Sequence, residues 1–435
     1  APRDDVVQIP HRLVEECLQS APSRITVYNR RGEEAMQLEG NQVYFGLGTD
    51  LLNTYDLQTG KLRKSRLQDV VDAAVVADFC EEIDFIASNG FAEDAPVNLA
   101  YIAAFKALVE HSTKPIYFTA AARADLAVII AMAAAVAGGE AALREKPFLI
   151  HYAEPISPLV HSADAIQKLF LCADKGIPLN YVPALMAGGT GPVTLAGAIA
   201  VANAEALSGL VLQQLRVKGA PMISGFSVTP LDMLYGTTVY GSPEERLTHA
   251  ACADLYHYYG LPVWGEAGCS DAKCLDEQAA MESAISILMA ALDGTNLVHN
   301  VGYLGQGLIS SAAAIVMGSE IISYVKRIMR GFEVGRERMA LDVIRRVGPG
   351  GHFLSEPQTL ELFQQEHWRP RCINRQNLTA WKAKGHKRYH EVVRRKASDI
   401  LASHIPEPLP AEVADALKEA WQKAEAALGD RSPAV

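Results

Sequence analysis

The chain has 435 residues and a formal net charge of −10, with 49% hydrophobic, 21% charged and 7% aromatic residues. That balance excludes a disordered or fibrous chain. No basic block exceeds the helically spaced Lys384, Lys387, Arg394, Arg395 and Lys396, so nucleic acid is not an expected partner.

Seven scattered cysteines without a C-x-x-C pair read as reduced, cytoplasmic usage. The most apolar run, Leu126 to Ala137, has about twelve residues where a membrane span needs about 20, so no membrane partner is expected. The chain opens at Ala1 without a methionine, directly on an extended segment, which suggests that a natural N-terminal portion precedes it.

Residues 1–66 read as a small β-rich lead-in. Leu13 to Leu18 is helical in pattern, while Ile25 to Tyr28, Gln42 to Phe45 and the alternating Leu52 to Leu62, with its Thr59-Gly60 turn, are extended. From Leu67 a repeating grammar sets in, in which a short apolar run gives way to small or polar residues and then to a helix. The expected strands are Ile83 to Ser88, Pro115 to Thr119, Phe148 to Ala153, Leu179 to Leu185, Met222 to Val228, Pro262 to Glu266 and Leu297 to Tyr303. The helices that follow them are Pro96 to His111, Ala124 to Ala142, Ala163 to Ala173, Pro192 to Val217, Pro243 to Tyr259, Asp276 to Leu292 and Ser311 to Met329.

Repeated βα units at this spacing predict an α/β chain folded as a TIM-type (β/α)8 barrel over residues 67–360. No G-x-G-x-x-G follows the first strand, so a Rossmann sheet is the weaker alternative. The best candidate for an eighth strand is His352-Phe353-Leu354, after the glycine-rich VGPGG. Residues 361–435 read as a charged helical segment with Trp368, Trp381 and Trp421 as packing anchors, ending in an amphipathic helix from Pro410 to Leu428.

A barrel of this kind gathers its chemistry on the loops at the carboxyl ends of the strands. Those loops contain no nucleophile elbow, P-loop or H-E-x-x-H helix. They are also poor in basic residues, which argues against phosphorylated substrates. Aromatic residues and carboxylates collect there instead, and these hold a quaternary ammonium, which has no N–H to donate and is bound by ring faces and charge. The walls would be Tyr152, Phe226, Trp264, Tyr303, Phe353 and His352, and the reacting centre Glu154, Glu266, Cys269 and His299. The competing reading makes at least half of the aromatics core filler and the cysteines small buried hydrophobes. Met186 to Pro192, MAGGTGP, offers a glycine-rich turn that admits close approach of a flat group.

Five segments carry a resemblance. Met186 to Leu215, Ser227 to Glu244, Gly265 to Ala279, Gly302 to Ile322 and Gly350 to Trp368 together resemble the trimethylamine methyltransferase family, in order and over nearly the whole chain. The resemblance implies a TIM barrel that moves a methyl group from a methylamine to the Co(I) of a corrinoid carried by a cognate protein. It also makes Gly188, Gly189, Thr190, Gly191, Ser270 and Asp271 the expected corrinoid-facing residues. The family's archetype carries pyrrolysine in the loop after a central strand. Here the matching neighbourhood is AGCSDAK, with Cys269 or Gly268 in that place.

Because a quaternary ammonium already holds a neutral amine as leaving group, it needs no covalent activation. The absence of pyrrolysine therefore implies a glycine betaine-like substrate. No tightly bound metal is expected, and a homo-oligomer is. Two other classes stay open, a zinc-dependent methyl or acyl transferase built on Cys269, Cys274 and His299, and a non-catalytic binder of a methylated ammonium compound.

Overall fold

The computed structural model describes residues 6–428. Its organising feature is a set of short parallel strands joined by helices, an α/β fold. Tyr44–Leu47 pairs in parallel with Leu297–Val301 on one side and bridges through Gly46 to Phe85 on the other. Ile86 bridges to Ile116, and Ile116–Phe118, Leu149–Ala153, Leu179–Tyr181 and Met222–Ile223 follow as parallel neighbours. Ser224 then bridges Val263, and Trp264–Glu266 lies parallel to Leu297–Val301, with Glu266 opposite His299.

The helices between these strands begin and end where local chemistry dictates. Ser162, Ser242, Asp276 and Ser311 each accept an N–H from the first turn of the helix that follows, which satisfies donors that have no partner within the helix. Gly176, Gly260 and Gly294 close three of these helices in the left-handed conformation, where a Cβ would be strained. Pro243 occupies the first turn of its helix. Pro96 and Pro192 lie ahead of theirs, which begin at Ala100 and Leu195.

Two expected strands divide. Leu179 to Leu185 becomes Leu179–Tyr181 and Ala184–Ala187, and Met222 to Val228 becomes Met222–Ile223 and Ser227–Asp232. The outer halves form their own sheet, parallel between Ala184–Ala187 and Ser227–Asp232 and antiparallel to Thr237–Thr238. A second small sheet joins Tyr303–Leu304, Ile309–Ser310, Asn53–Tyr55 and Leu62–Lys64. Both continue from the carboxyl ends of the inner strands.

The expected strand at His352-Phe353-Leu354 does not form. Gly348 and Gly350 take positive φ, the chain turns through a Gly351 N–H to Gly348 carbonyl bond, and Phe353 is 46% exposed. The parallel system draws instead on Tyr44–Leu47, from the segment expected to stand apart as a lead-in, so a division at residue 66 does not follow the sheet pairing. The reason is close packing: a Cβ on Gly46 would stand 2.4 Å from the Phe85 ring and one on Gly48 2.2 Å from the Tyr303 ring. The two glycines let this strand approach neighbours that a longer side chain would hold off.

The C-terminal helices pack on the outer layer, Tyr389–Ser403 against Ala312–Met329 and Leu67–Phe79, and Ala411–Leu428 against Arg123–Ala137. One helix, Leu195–Arg216, is long and apolar enough to cross a membrane by composition. Here it packs on His11–Ser20 and Ala163–Lys175. Gly46→Ala is expected to destabilise the protein by about 1–3 kcal/mol through overpacking. Gly335→Ala, with open space at its Cβ, should be within about 0.5 kcal/mol of wild type. Urea unfolding of the two variants measures the difference.

Candidate active site

Four rings from four inner strands meet in the shared interior of the parallel system. Trp264 and Tyr152 are stacked with centroids 6.2 Å apart. His299 lies 5.1 Å from Trp264, 5.1 Å from Tyr117 and 5.8 Å from Tyr152, and Tyr303 joins at 6.4 Å from His299. Alternation along a strand explains the selection. Tyr117 and Tyr152 point to the shared interior, whereas their neighbours Phe118 and His151 pack on each other, 5.0 Å apart, on the other face. Burial brings the His299 imidazole down to about 4, so it is neutral at neutral pH.

Carboxylates sit around these rings in two settings. Glu154 accepts the Tyr152 hydroxyl proton and is solvent-exposed, yet protein closes around it enough that desolvation raises its carboxyl. Glu266 is buried and fully engaged: Ser227 Oγ donates at 2.6 Å and Asn300 Nδ2 at 2.8 Å. Burial alone would raise the Glu266 carboxyl, but the facing His249, with His299 and Ser227, brings it down to about 2. Glu266 is therefore a buried carboxylate with one hydrogen bond to each oxygen, whereas Glu154 still faces solvent.

Asp50, which the sequence reading leaves out, is the third. It accepts the hydroxyl protons of Ser88 and Thr119 and ties three strand ends together, and desolvation raises its carboxyl. Asp50, Asn89 and Asn300 all hold positive φ, a strain that collects where the surrounding structure fixes a site. The available signal for Asp50 was FGLGTD, a short apolar run ending in small residues and an acid. Tyr117 was also missed, for it lies mid-strand, as was the helical pair Glu245 and His249.

Several expected residues lie elsewhere. Phe226 is fully buried against Tyr256, its N–H directed to Cys252 Sγ, because strand phase turns it toward the helix Pro243–Tyr259. His352 and Phe353 lie on the exposed turn described above, and neither has a ring contact or side-chain hydrogen bond to the cluster among the described residues. In the Gly188 to Gly191 turn, Gly189, Thr190 and Gly191 all direct their N–H groups to Met186 O, and Gly188 directs its own to Gly191 O. These donors are not free to cradle an anion. Ser270 Oγ donates to Glu282, and Asp271 accepts the N–H groups of Tyr240 and Gly241. Asp271 still lines a 560 Å³ recess with Asp232, Thr237 and Gln306. Lys273, in the same loop, donates to Asp271 O.

The family model for trimethylamine methyltransferase matches residues 2–429. This chain belongs to the trimethylamine methyltransferase family. It is 33% identical to the trimethylamine methyltransferase of Desulfitobacterium hafniense strain DCB-2 over 98% of its own length and 85% of the relative's. It is 30% identical to the glycine betaine methyltransferase of strain Y51 of that species, over 94% of this chain and 85% of the relative. The crystal structure of the monomethylamine methyltransferase of Methanosarcina barkeri shares the fold, with a TM-score of 0.53 at 12% identity, covering 97% of this chain and 81% of the other. The chain is accordingly an enzyme, an amine methyltransferase.

In this trimethylamine methyltransferase family member the loop after Trp264–Glu266 is tightly held. Gly268 has φ +73° with Val301 Cα 3.1 Å from its would-be Cβ, and its N–H donates to Ser286. Cys269 is buried beside Leu51, Tyr303 and Tyr240, and burial pushes its thiol well up, so at neutral pH it is a thiol and not a thiolate. Cys274 is exposed, and its set with Cys269 and His299 is not assembled, since the one candidate metal-ligand group among the described residues is a different trio. Thiol labelling of the native protein should modify Cys274 first. Cys274→Ser removes the fast phase, and Cys269→Ser leaves it unchanged.

Proposed function

We propose that this enzyme takes a methyl group from a quaternary amine of the glycine betaine kind and passes it to the Co(I) of a corrinoid carried by a partner protein. The observation that carries the reading is the group of rings, Tyr152, Trp264, His299 and Tyr303, beside a carboxylate that solvent can reach. A trimethylammonium head offers methyl surface and charge but no N–H, and ring faces with one nearby acid match it. The 30% identity to a glycine betaine methyltransferase supports the same class. We read the parallel pairings as a (β/α)8 barrel with this cluster at its mouth.

The corrinoid, when presented by its partner protein, would supply a Co(I) electron pair as the nucleophile toward the methyl carbon. The N–CH3 bond breaks with its electron pair left on nitrogen, giving a neutral tertiary amine. The chain's own part is positioning and charge. Tyr152 and Trp264 present faces to the methyl groups, Tyr152 orients Glu154 through its hydroxyl, and Glu154 balances the cation. Because that attraction vanishes as the product amine forms, Glu154 favours substrate over product. Cys269 forms no adduct in this scheme.

Around the expected entrance the side chains of Ile156, Leu159, Val193, Met233, Leu234 and Tyr235 are exposed, and Val193 and Met233 both come within 4 Å of a Cβ built on Gly188. This apolar rim suits the approach of a second protein with a flat macrocycle. Reduced cysteines are consistent with a cytoplasmic setting, which we propose for the reaction.

Calorimetric binding of choline and of its uncharged carbon isostere tests the ammonium site. The charged ligand should bind at least about tenfold tighter, and Tyr152→Leu should cost it about 0.5–2 kcal/mol. Equal affinities in the wild type would end the reading. Affinity for the cation should also fall with decreasing pH, beginning above the usual carboxylate range, since the Glu154 carboxyl is raised and protonation removes its charge. For the reaction itself, glycine betaine, proline betaine, carnitine and choline are offered with free cob(I)alamin, and methylation is followed by absorbance. Cys269→Ala should retain most of the rate, and complete loss with intact folding would require a covalent role.

A further inference from the structure

Behind Glu266, with His249 edge-on to Trp264 at 6.3 Å between centroids, lies a buried cluster that the methyl-transfer scheme does not use. Glu245 and His249 stand one turn apart on the helix Pro243–Tyr259 and face the end of Trp264–Glu266. All three side chains are buried, with Glu245 at 0%, His249 at 6% and Glu266 at 6% exposure. His249 Nε2 is 3.7 Å from Glu245 Oε1 and 3.5 Å from Glu266 Oε2, and the three donor atoms all lie within 4.8 Å of one another.

Those separations are too long for an imidazolium hydrogen-bonded to carboxylate, which closes to about 2.7–2.9 Å. Two ligands at about 2.0–2.2 Å from a tetrahedral ion stand about 3.3–3.6 Å apart, close to the two separations His249 makes. His249 Nε2 has no hydrogen-bond partner, and neither carboxylate oxygen of Glu245 accepts a hydrogen bond, although Arg246 stands 2.6 Å from Oε2. Polar atoms left in this way at full burial are costly unless something sits between them.

Charge points the same way. Glu245, Glu266 and Asp293, which lines the same small recess as Arg246, His249 and Glu266, set three carboxylates against one guanidinium. A divalent ion neutralises the set, whereas a proton on His249 leaves it negative. The supporting layer is already built: Ser227 and Asn300 orient the Glu266 carboxylate, and Arg246 donates to the Glu266 carbonyl at 2.6 Å, as outer partners of metal ligands do.

We propose that Glu245, His249 and Glu266 bind one divalent transition-metal ion, zinc in first place, through one oxygen of each glutamate and Nε2 of the histidine. The site departs from the expectation that no metal is held, and it shares no donor with the Cys269, Cys274 and His299 set. It pins the helix Pro243–Tyr259 to the strand end that carries Glu266. With the ion bound the cluster carries no net charge, so it does not repel a cation at the mouth, and Glu154 remains the acid for the amine. The inference stands independently of the substrate.

The test is elemental analysis of the full chain, purified without chelator, then stripped and reloaded with zinc chloride. About one zinc per chain is expected, falling below about a tenth in the Glu245→Gln, His249→Ala double variant. Cobalt loading of the wild type supplies a second readout that needs no variant: visible absorption of nitrogen and oxygen ligation, without the near-ultraviolet thiolate band that cysteine ligands give. Failure of the wild type to take up zinc or cobalt overturns the proposal. A thiolate band, or loss of the ion in Cys269→Ser, Cys274→Ser with Glu245 and His249 intact, overturns it as well.

Discussion

The arrangement of this enzyme depends on burying a carboxylate at a strand end. Glu266 sits where Trp264–Glu266 and Leu297–Val301 run side by side, and a charge there is tolerated only if its surroundings answer it. Ser227 comes from the strand Ser227–Asp232, Asn300 from the neighbouring strand in a positive-φ conformation, and His249 and Arg246 from the preceding helix. Satisfying one side chain therefore fixes the relative positions of three strands and a helix. The ring cluster inherits that order, since Trp264 and His299 are carried on the same two strands.

The same constraint separates two acids of identical type into two roles. Glu266 has both oxygens engaged and stays ionised deep in the fold. Glu154, two residues beyond Tyr152, keeps one face to solvent and is the acid we propose for the ligand. Type and proximity alone would have ranked them together. Their hydrogen-bond partners rank them apart.

Close packing accounts for the unusual origin of one wall. Gly46 and Gly48 allow Tyr44–Leu47 to lie against Phe85 and Tyr303, which brings Asp50 to the mouth from a segment that looks peripheral in sequence. Tyr303 in turn directs its hydroxyl to Thr49 O. Residues of the N-terminal segment thereby join the ring cluster's surroundings, where Asp50 links three strand ends through Ser88 and Thr119.

By itself the sequence determined the βα alternation, most helix limits through Ser162, Ser242, Asp276 and Ser311, the family, and the gathering of Tyr152, Glu154, Trp264, Glu266, His299 and Tyr303. These are legible because caps and apolar periods act over a few residues, and because strand ends follow directly from them. Only the tertiary structure decided that Phe226 faces a helix, that His352-Phe353-Leu354 forms no strand while Tyr44–Leu47 joins the parallel system, and that Glu245 and His249 meet Glu266. A strand's phase is set by what packs on each face, and a short strand declares itself only once its neighbours supply hydrogen bonds. Contacts between residues far apart in sequence, such as Asp50 with Thr119, leave no local pattern to be read.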